Sequence, residues 1–104
     1  MKFITPSELK SWMDNKKDFQ LIDIREQYEY ETANIGEQHI PMGEILDCLY
    51  KIDKHKDVVI HCKSGNRSEA VIQALEANGF NNLHSLEGGI QAWCQTIDSS
   101  LLIL

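Results

Sequence analysis

The sequence predicts an α/β fold built on a mostly parallel sheet. Three observations carry that reading. Short apolar runs with β-branched residues alternate with segments of helical periodicity along the whole length. The clearest run, Val58-Val59-Ile60-His61-Cys62, is apolar almost throughout, the pattern of a strand covered on both faces. Turn residues separate the segments, and no repeat, linker or low-complexity stretch interrupts them. A chain of 104 residues has room for one domain, residues 1–104, and one hydrophobic core.

Thr5-Pro6-Ser7-Glu8 starts the first helix. Thr5 caps it, Pro6 suits the first helical position, and Glu8 completes a capping box. Leu9, Trp12 and Met13 follow at helical spacing and are assigned to the core. Residues 19–24, FQLIDI, read as a buried strand. Glu26 to Thr32, charged and carrying Tyr28 and Tyr30, is expected to form a short helix or turn. Behind Pro41, residues 42–52 are expected to form one helix with Ile45, Leu46, Leu49 and Tyr50 on a common face. The polar residues 53–57 are a solvated turn. The strand at 58–62 is expected at the centre of the sheet and ends at Ser64-Gly65-Asn66. Arg67 to Asn78 reads as a helix with Ala70, Val71, Ala74 and Leu75 inward and Gly79 as its stop. A strand at 83–86 and the turn Gly88-Gly89 lead to a last helix carrying Ile90, Trp93 and Ile97. The apolar tail 101–104 is expected to pack on the domain or on a partner.

Apolar residues make up 42% and charged residues 25%, a balance that excludes a disordered or fibrous chain. The net charge of -6, with no stripe of Lys and Arg, argues against a nucleic-acid partner. The N-terminal ten residues lack the apolar run of a signal peptide. No stretch approaches the ~20 apolar residues of a membrane span, so no membrane partner is expected and the location expected is the cytoplasm. The three cysteines, Cys48, Cys62 and Cys94, are odd in number and form no C-x-x-C, which argues against a disulfide framework and a zinc site. His39, His55, His61 and His84 match no ligand spacing. No metal and no cofactor are expected.

The chemistry concentrates in residues 58–68, VVIHCKSGNRS. Cys62 stands at the carboxyl end of a buried strand, where α/β sheets hold their ligands. The loop Cys62-Lys63-Ser64-Gly65-Asn66-Arg67 then enters a helix N-terminus. Such a loop can curl so that successive amides point inward and cradle an anion, and Gly65 supplies the backbone freedom for the curl. A cysteine so placed is expected to be a thiolate nucleophile. A helix terminus contributes only about 0.3–1 kcal/mol to an adjacent anion, so the inward amides together with Lys63 or Arg67 must supply the rest. Cys48 and Cys94, without such a loop, read as small buried hydrophobes. His61 is adjacent to Cys62 on a strand, which points the two side chains to opposite faces, so a structural role is expected for it. Asp23 and Arg25 admit two readings, a brace for the active loop or a structural ion pair.

In these motifs the chain resembles the rhodanese-like sulfurtransferases, and the resemblance runs over nearly its whole length. It rests on ITPSEL near the start, LIDIRE at 21–26, EYE at 29–31, HIPMGEI at 39–45, VVIHCKSGNRS, and NGFNNLHSLEGGIQAW at 78–93. The resemblance implies a rhodanese-like α/β fold, a five-stranded mostly parallel sheet flanked by helices, with a cysteine that becomes persulfidated. It matches Cys62 to the nucleophile and Lys63, Ser64, Gly65, Asn66, Arg67 and Ser68 to the anion-binding loop, with Asp23 and Arg25 in support. One stretch departs from the family. Where it usually shows Gly-His-Ile-Pro-Gly-Ala, residues 33–38 read Ala-Asn-Ile-Gly-Glu-Gln, with Asn34 in the histidine's place. That stretch borders the active loop in the family and bears on substrate preference.

The implied reaction moves sulfur from a donor such as thiosulfate, through a Cys62 persulfide, to cyanide or a thiol. The expected partners are therefore a small sulfur-containing anion and a thiol acceptor, with a protein sulfur acceptor as the alternative. Two other functions share the same residues. One is a sulfur-carrier or regulatory module with little turnover of its own, which an intact loop serves equally well. The other is a cysteine-dependent phosphatase or arsenate reductase. The related phosphatases place five residues between cysteine and arginine, whereas four stand between Cys62 and Arg67. The shorter loop suits a sulfur atom better than a phosphate.

Overall fold

A computed structural model describes residues 1–36 and 38–104. Five strands, β1 (Lys2–Ile4), β2 (Gln20–Asp23), β3 (Gln38–His39), β4 (Val58–His61) and β5 (Leu83–Leu86), alternate with helices α1 (Pro6–Asp14), α2 (Gln27–Thr32), α3 (Met42–Ile45), α4 (Asn66–Ala77) and α5 (Gly89–Thr96). All strand pairs are parallel, in the order β1-β5-β4-β2-β3. The expected fold class is the one observed, with β4 at the centre. All four residues of β4 are buried, which accounts for its near-continuous apolar run.

The two-residue period of β4 divides the core. Val58, Ile60 and Cys62 enter one cluster with Ile22, Ile24, Val71, Ile72 and Leu75. Val59 enters a second with Ile4, Leu9, Leu21, Leu86 and Trp93, against which Trp12, Met13 and Leu101 pack. Cys62 thus shares its face with α4, whereas the adjacent His61 belongs to the opposite face. Truncating a wholly buried side chain such as Ile60 to Ala would cost about 2–5 kcal/mol.

Helix termini follow the sequence signals. Thr5 Oγ1 accepts from the Glu8 amide at 3.1 Å, and Glu8 Oε1 accepts from the Thr5 amide at 3.0 Å. At the end of α4 the Gly79 amide bonds Glu76 O and the Phe80 amide bonds Leu75 O, with Gly79 at φ +93°. This is the paired-bond terminus that glycine favours.

Three expectations need correction. The edge strands β1 and β3, three and two residues long, have no readable alternation and were not anticipated from their residues. The helix expected over 42–52 is a single turn, α3, followed by a 3₁₀ turn at Leu49–Lys51. The Asp47 and Cys48 amides bond Glu44 O and Ile45 O, three residues back rather than four, and Gly43 and Asp47 are poor helix formers. Leu46 and Tyr50 are consequently exposed, and Ile45 and Ile52 fill the core. In α4, Ala70 is exposed, and the inward stripe is Ser68, Val71, Ile72 and Leu75. A buried serine opens that stripe, so the apolar pattern alone misplaced its first member. Among the described residues no helix is long and apolar enough to cross a membrane.

Candidate active site

The site forms where the connections leaving the carboxyl ends of β2, β4 and β5 meet. Beyond β4, Cys62 is 1% exposed, and the chain turns at Gly65, the α4 N-cap, with φ +111°. Side chains rarely adopt that angle, and glycine does so without penalty. The turn aims two amides at the sulfur: Gly65 N lies 3.1 Å from Cys62 Sγ and Ser68 N lies 3.4 Å from it. Ser68 Oγ, wholly buried, stands 3.8 Å from Sγ and donates to Gly65 O at 2.9 Å.

Helix α5 braces this loop from the other side. The Ile90 amide donates to Cys62 O at 2.9 Å and the Gln91 amide to Lys63 O at 3.0 Å. The loop carbonyls thereby occupy orphan donors of the α5 N-terminus. A Cβ on Gly89, at φ +60°, would collide with the carbonyl oxygens of Cys62 and Lys63. Gly89 is therefore more than a turn residue, because its missing side chain is what permits helix and loop to touch.

Arg67 reaches sideways to α2. Its Nη1 and Nη2 donate to Glu29 Oε1 and Oε2 at 2.8 and 3.0 Å, a two-pronged pair, and Glu29 Oε1 also accepts the Glu26 amide at 2.9 Å. These Arg67 bonds, opposed by partial burial and aided by the Glu26 amide, hold the Glu29 carboxyl below the usual carboxylate range. The Glu29 bonds in turn raise Arg67 against partial desolvation, and the charges of Glu29, Cys62 and Asp23 add to them. The sequence reading missed Glu29 as a site residue. Its signal was the first acidic residue of EYE, which nothing local links to Arg67, 38 residues away.

Beneath the loop lies a second pair. Arg25 Nε donates to both Asp23 carboxylate oxygens at 3.0 Å, its Nη2 to Asp23 Oδ2 at 2.7 Å and to Ala33 O at 2.6 Å, and its amide to Asp23 Oδ1 at 2.9 Å. Burial by itself would push the Asp23 carboxyl up. The Arg25 bonds, the charge of His61 and the Arg25 amide outweigh it and hold the carboxyl low. Asp23 pairs in register with His61, and the Ile24 amide bonds His61 O, so this pair sits one residue from Cys62 across the sheet.

Of the residues singled out in the loop, Gly65 and Ser68 contact the sulfur. Among the described residues no hydrogen bond joins the side chain of Lys63, Ser64, Asn66 or Arg67 to it. Ser64 and Asn66 are exposed, and Lys63 is half-buried. His61 has Nδ1 3.4 Å from Cys62 O and faces away from the sulfur, as expected. Cys48 and Cys94 are half-buried, with Cys94 Sγ 3.3 Å from Leu101 O. Asn34 closes the end of α2: its Nδ2 donates to Tyr30 O and its Oδ1 accepts the Gly36 amide. Glu37, in the same departing stretch, lies outside the described residues.

A parallel α/β sheet carrying a cysteine, with two amides on its sulfur, ahead of a helix with an arginine in its first turn defines a protein class, the cysteine-loop α/β proteins. Within it, the rhodanese-like domain family matches residues 5–96, and the chain belongs to that family. It is 35% identical to the thiosulfate sulfurtransferase GlpE of Coxiella burnetii, over 84% of this chain and 83% of that protein. It is 34% identical to MoeZ of Mycobacterium tuberculosis, named a probable adenylyltransferase/sulfurtransferase, over 96% of this chain; it spans only 26% of that relative's length. The solved rhodanese-like domain protein of Staphylococcus aureus is 37% identical and superposes with a TM-score of 0.85, covering 100% of this chain and 99% of that one.

Proposed function

We infer that the protein is a sulfurtransferase that carries sulfur as a persulfide on Cys62. The observation that carries this reading is the seating of Cys62 Sγ under the Gly65 and Ser68 amides, in a loop with four residues between Cys62 and Arg67. Two amide donors stabilise a negative sulfur without supplying a competing nucleophile. In the first half-reaction the Cys62 thiolate attacks the outer sulfur of thiosulfate. A sulfur–sulfur bond forms, the donor's own sulfur–sulfur bond breaks, and sulfite leaves with the electron pair. In the second, cyanide or a thiolate attacks the terminal sulfur of the persulfide and restores the Cys62 thiolate. This is covalent catalysis with ping-pong kinetics. Arg67, anchored on Glu29, keeps N–H groups free for the donor's oxyanion, since a guanidinium has five and Glu29 takes two.

Intact-protein mass spectrometry tests the reading. Wild type incubated with thiosulfate should gain the mass of one sulfur atom and lose it on addition of cyanide. Cys62→Ser should gain nothing, while Cys48→Ser and Cys94→Ser should behave as wild type. No gain in wild type, or an equal gain in Cys62→Ser, would overturn it. Turnover of an aryl phosphate that disappears in Cys62→Ser would favour the phosphatase reading instead.

A further inference from the structure

Behind the loop lies a pair of hydroxyls that the sulfur chemistry above leaves unused. Ser85, on β5, is 1% exposed, and its Oγ lies 2.9 Å from Ser68 Oγ. It stands in register with Ile60, two residues before Cys62, and so belongs to the same face of the sheet as the sulfur.

A count of protons orients the pair. A serine hydroxyl has one proton, and Ser68 gives its own to Gly65 O. Ser85 is therefore the donor in the Ser68–Ser85 contact. Gly65 O also accepts the Glu69 amide at 3.0 Å, so it keeps a partner if the Ser68 proton turns elsewhere. With Ser85 donating to Ser68 Oγ, Cys62 Sγ, 3.8 Å away, is an acceptor to which the Ser68 proton can turn.

We propose that Ser85 is a positioning residue for Cys62, acting through Ser68. While the sulfur is a thiol, its proton points at Ser68 Oγ and the Ser68 proton points at Gly65 O. When the sulfur becomes an anion, the Ser68 hydroxyl turns to it as a third donor, beside the Gly65 and Ser68 amides. Ser85 donates to Ser68 Oγ in both states, so it fixes that oxygen in place and strengthens the O–H bond's donation to sulfur. The anionic sulfur in question is the Cys62 thiolate, the state that on the sulfurtransferase reading opens each turnover.

The charged groups around Cys62 lie elsewhere. Arg67 and Glu69 are on α4, Lys63 is in the loop, His61 is on the opposite face of β4, Asp23 ends β2 with Arg25 just beyond it, and Glu29 is on α2. Helix α5, packed on the loop, has no charged side chain. Removal of the Ser85 hydroxyl leaves all of these in place, so its effect on the sulfur can be read separately.

The test is the rate of Cys62 alkylation by iodoacetamide as a function of pH, which needs no sulfur donor. Cys48 and Cys94 are replaced by serine throughout. In Ser85→Ala the profile should move to higher pH, with the rate at pH 7 falling about three- to tenfold, the size of one hydrogen bond. Ser85→Thr, which keeps the hydroxyl, should return it toward wild type. In a Ser68→Ala background, Ser85→Ala should have no further effect. A Ser85→Ala profile superimposable on wild type would overturn the proposal, as would an equal loss with and without the Ser68 hydroxyl. If the profile shifts as expected but thiosulfate leaves no sulfur on the protein, the sulfurtransferase reading fails and the role of Ser85 stands.

Discussion

Two carboxylate–guanidinium pairs support the site, and solvent reaches them differently. Both side chains of Asp23–Arg25 are 0% exposed, whereas in Glu29–Arg67 the Glu29 side chain is 6% and the Arg67 side chain 33% exposed. Asp23 accepts four hydrogen bonds from Arg25, and His61 Nε2 lies 3.9 Å from its Oδ2, so buried protein groups occupy the carboxylate. Arg25 Nη1 is buried and makes no hydrogen bond among the described residues, so even this pair carries an unrecovered desolvation cost. A charge sealed in this way cannot exchange its partner for a substrate. Arg67 can meet an anion while Glu29 holds it. Of the two readings open for Asp23 and Arg25, burial favours the structural ion pair, and on the proposed function only Arg67 is placed to meet an anion.

The largest effect expected from that division is on stability. Arg25→Ala leaves the buried Asp23 carboxylate without its guanidinium partner, and should cost about 3–5 kcal/mol in urea denaturation followed by circular dichroism. The double variant Asp23→Leu/Arg25→Met, which removes both charges, should recover a large part of the loss. A single variant within about 1 kcal/mol of wild type would mean that the sealed pair is no more structural than a surface one.

Arg67→Ala should invert the pattern. Its stability cost should stay near 1 kcal/mol or below, the range of partly exposed pairs. Its kcat/KM for thiosulfate should fall by about 10- to 150-fold, corresponding to one charge-assisted contact of about 1.5–3 kcal/mol. Glu29→Gln, which keeps the shape but loosens the anchor, should lose about three- to tenfold. Unchanged thiosulfate kinetics in both variants would leave the loop amides as the sole anion binders and dissolve the contrast between the pairs.

The smallest effect lies in acid. Glu29 is held below the usual carboxylate range chiefly by Arg67, so its contribution to stability is complete above the unfolded-state value of about 4.3 and is lost as pH falls through the lower folded-state value. The gap in stability between wild type and Arg67→Ala should therefore be widest above pH ~5 and should close toward pH ~3. Asp23, lowered in the same direction, adds its own acid sensitivity equally to both proteins. A gap of constant size across that range would show that Arg67 and Glu29 are not coupled in solution.

What could be read from the residues was whatever lies close along the chain. The α1 cap links Thr5 and Glu8, three residues apart. The strand 58–62, the turn at Gly65 and the helix that follows are consecutive, so β-branched runs, glycine and helical spacing located Cys62 and its amides without a structure. Periodicity decays over short segments, and it could give neither β1 nor β3, nor the break after Ile45. The partners across the site were invisible for a different reason. Glu29 meets Arg67 across 38 residues, Ser85 meets Ser68 across 17, and Gly89 meets the Cys62 carbonyl across 27. Those separations span parallel crossovers, and strand order and register decide which residues they bring together. A local pattern of apolar and polar residues does not encode that order. The sequence alone therefore determined the cysteine at the end of β4 and the glycine-bearing loop that follows it, and the packing of β2, β4 and β5 side by side decided which side chains hold that loop in place.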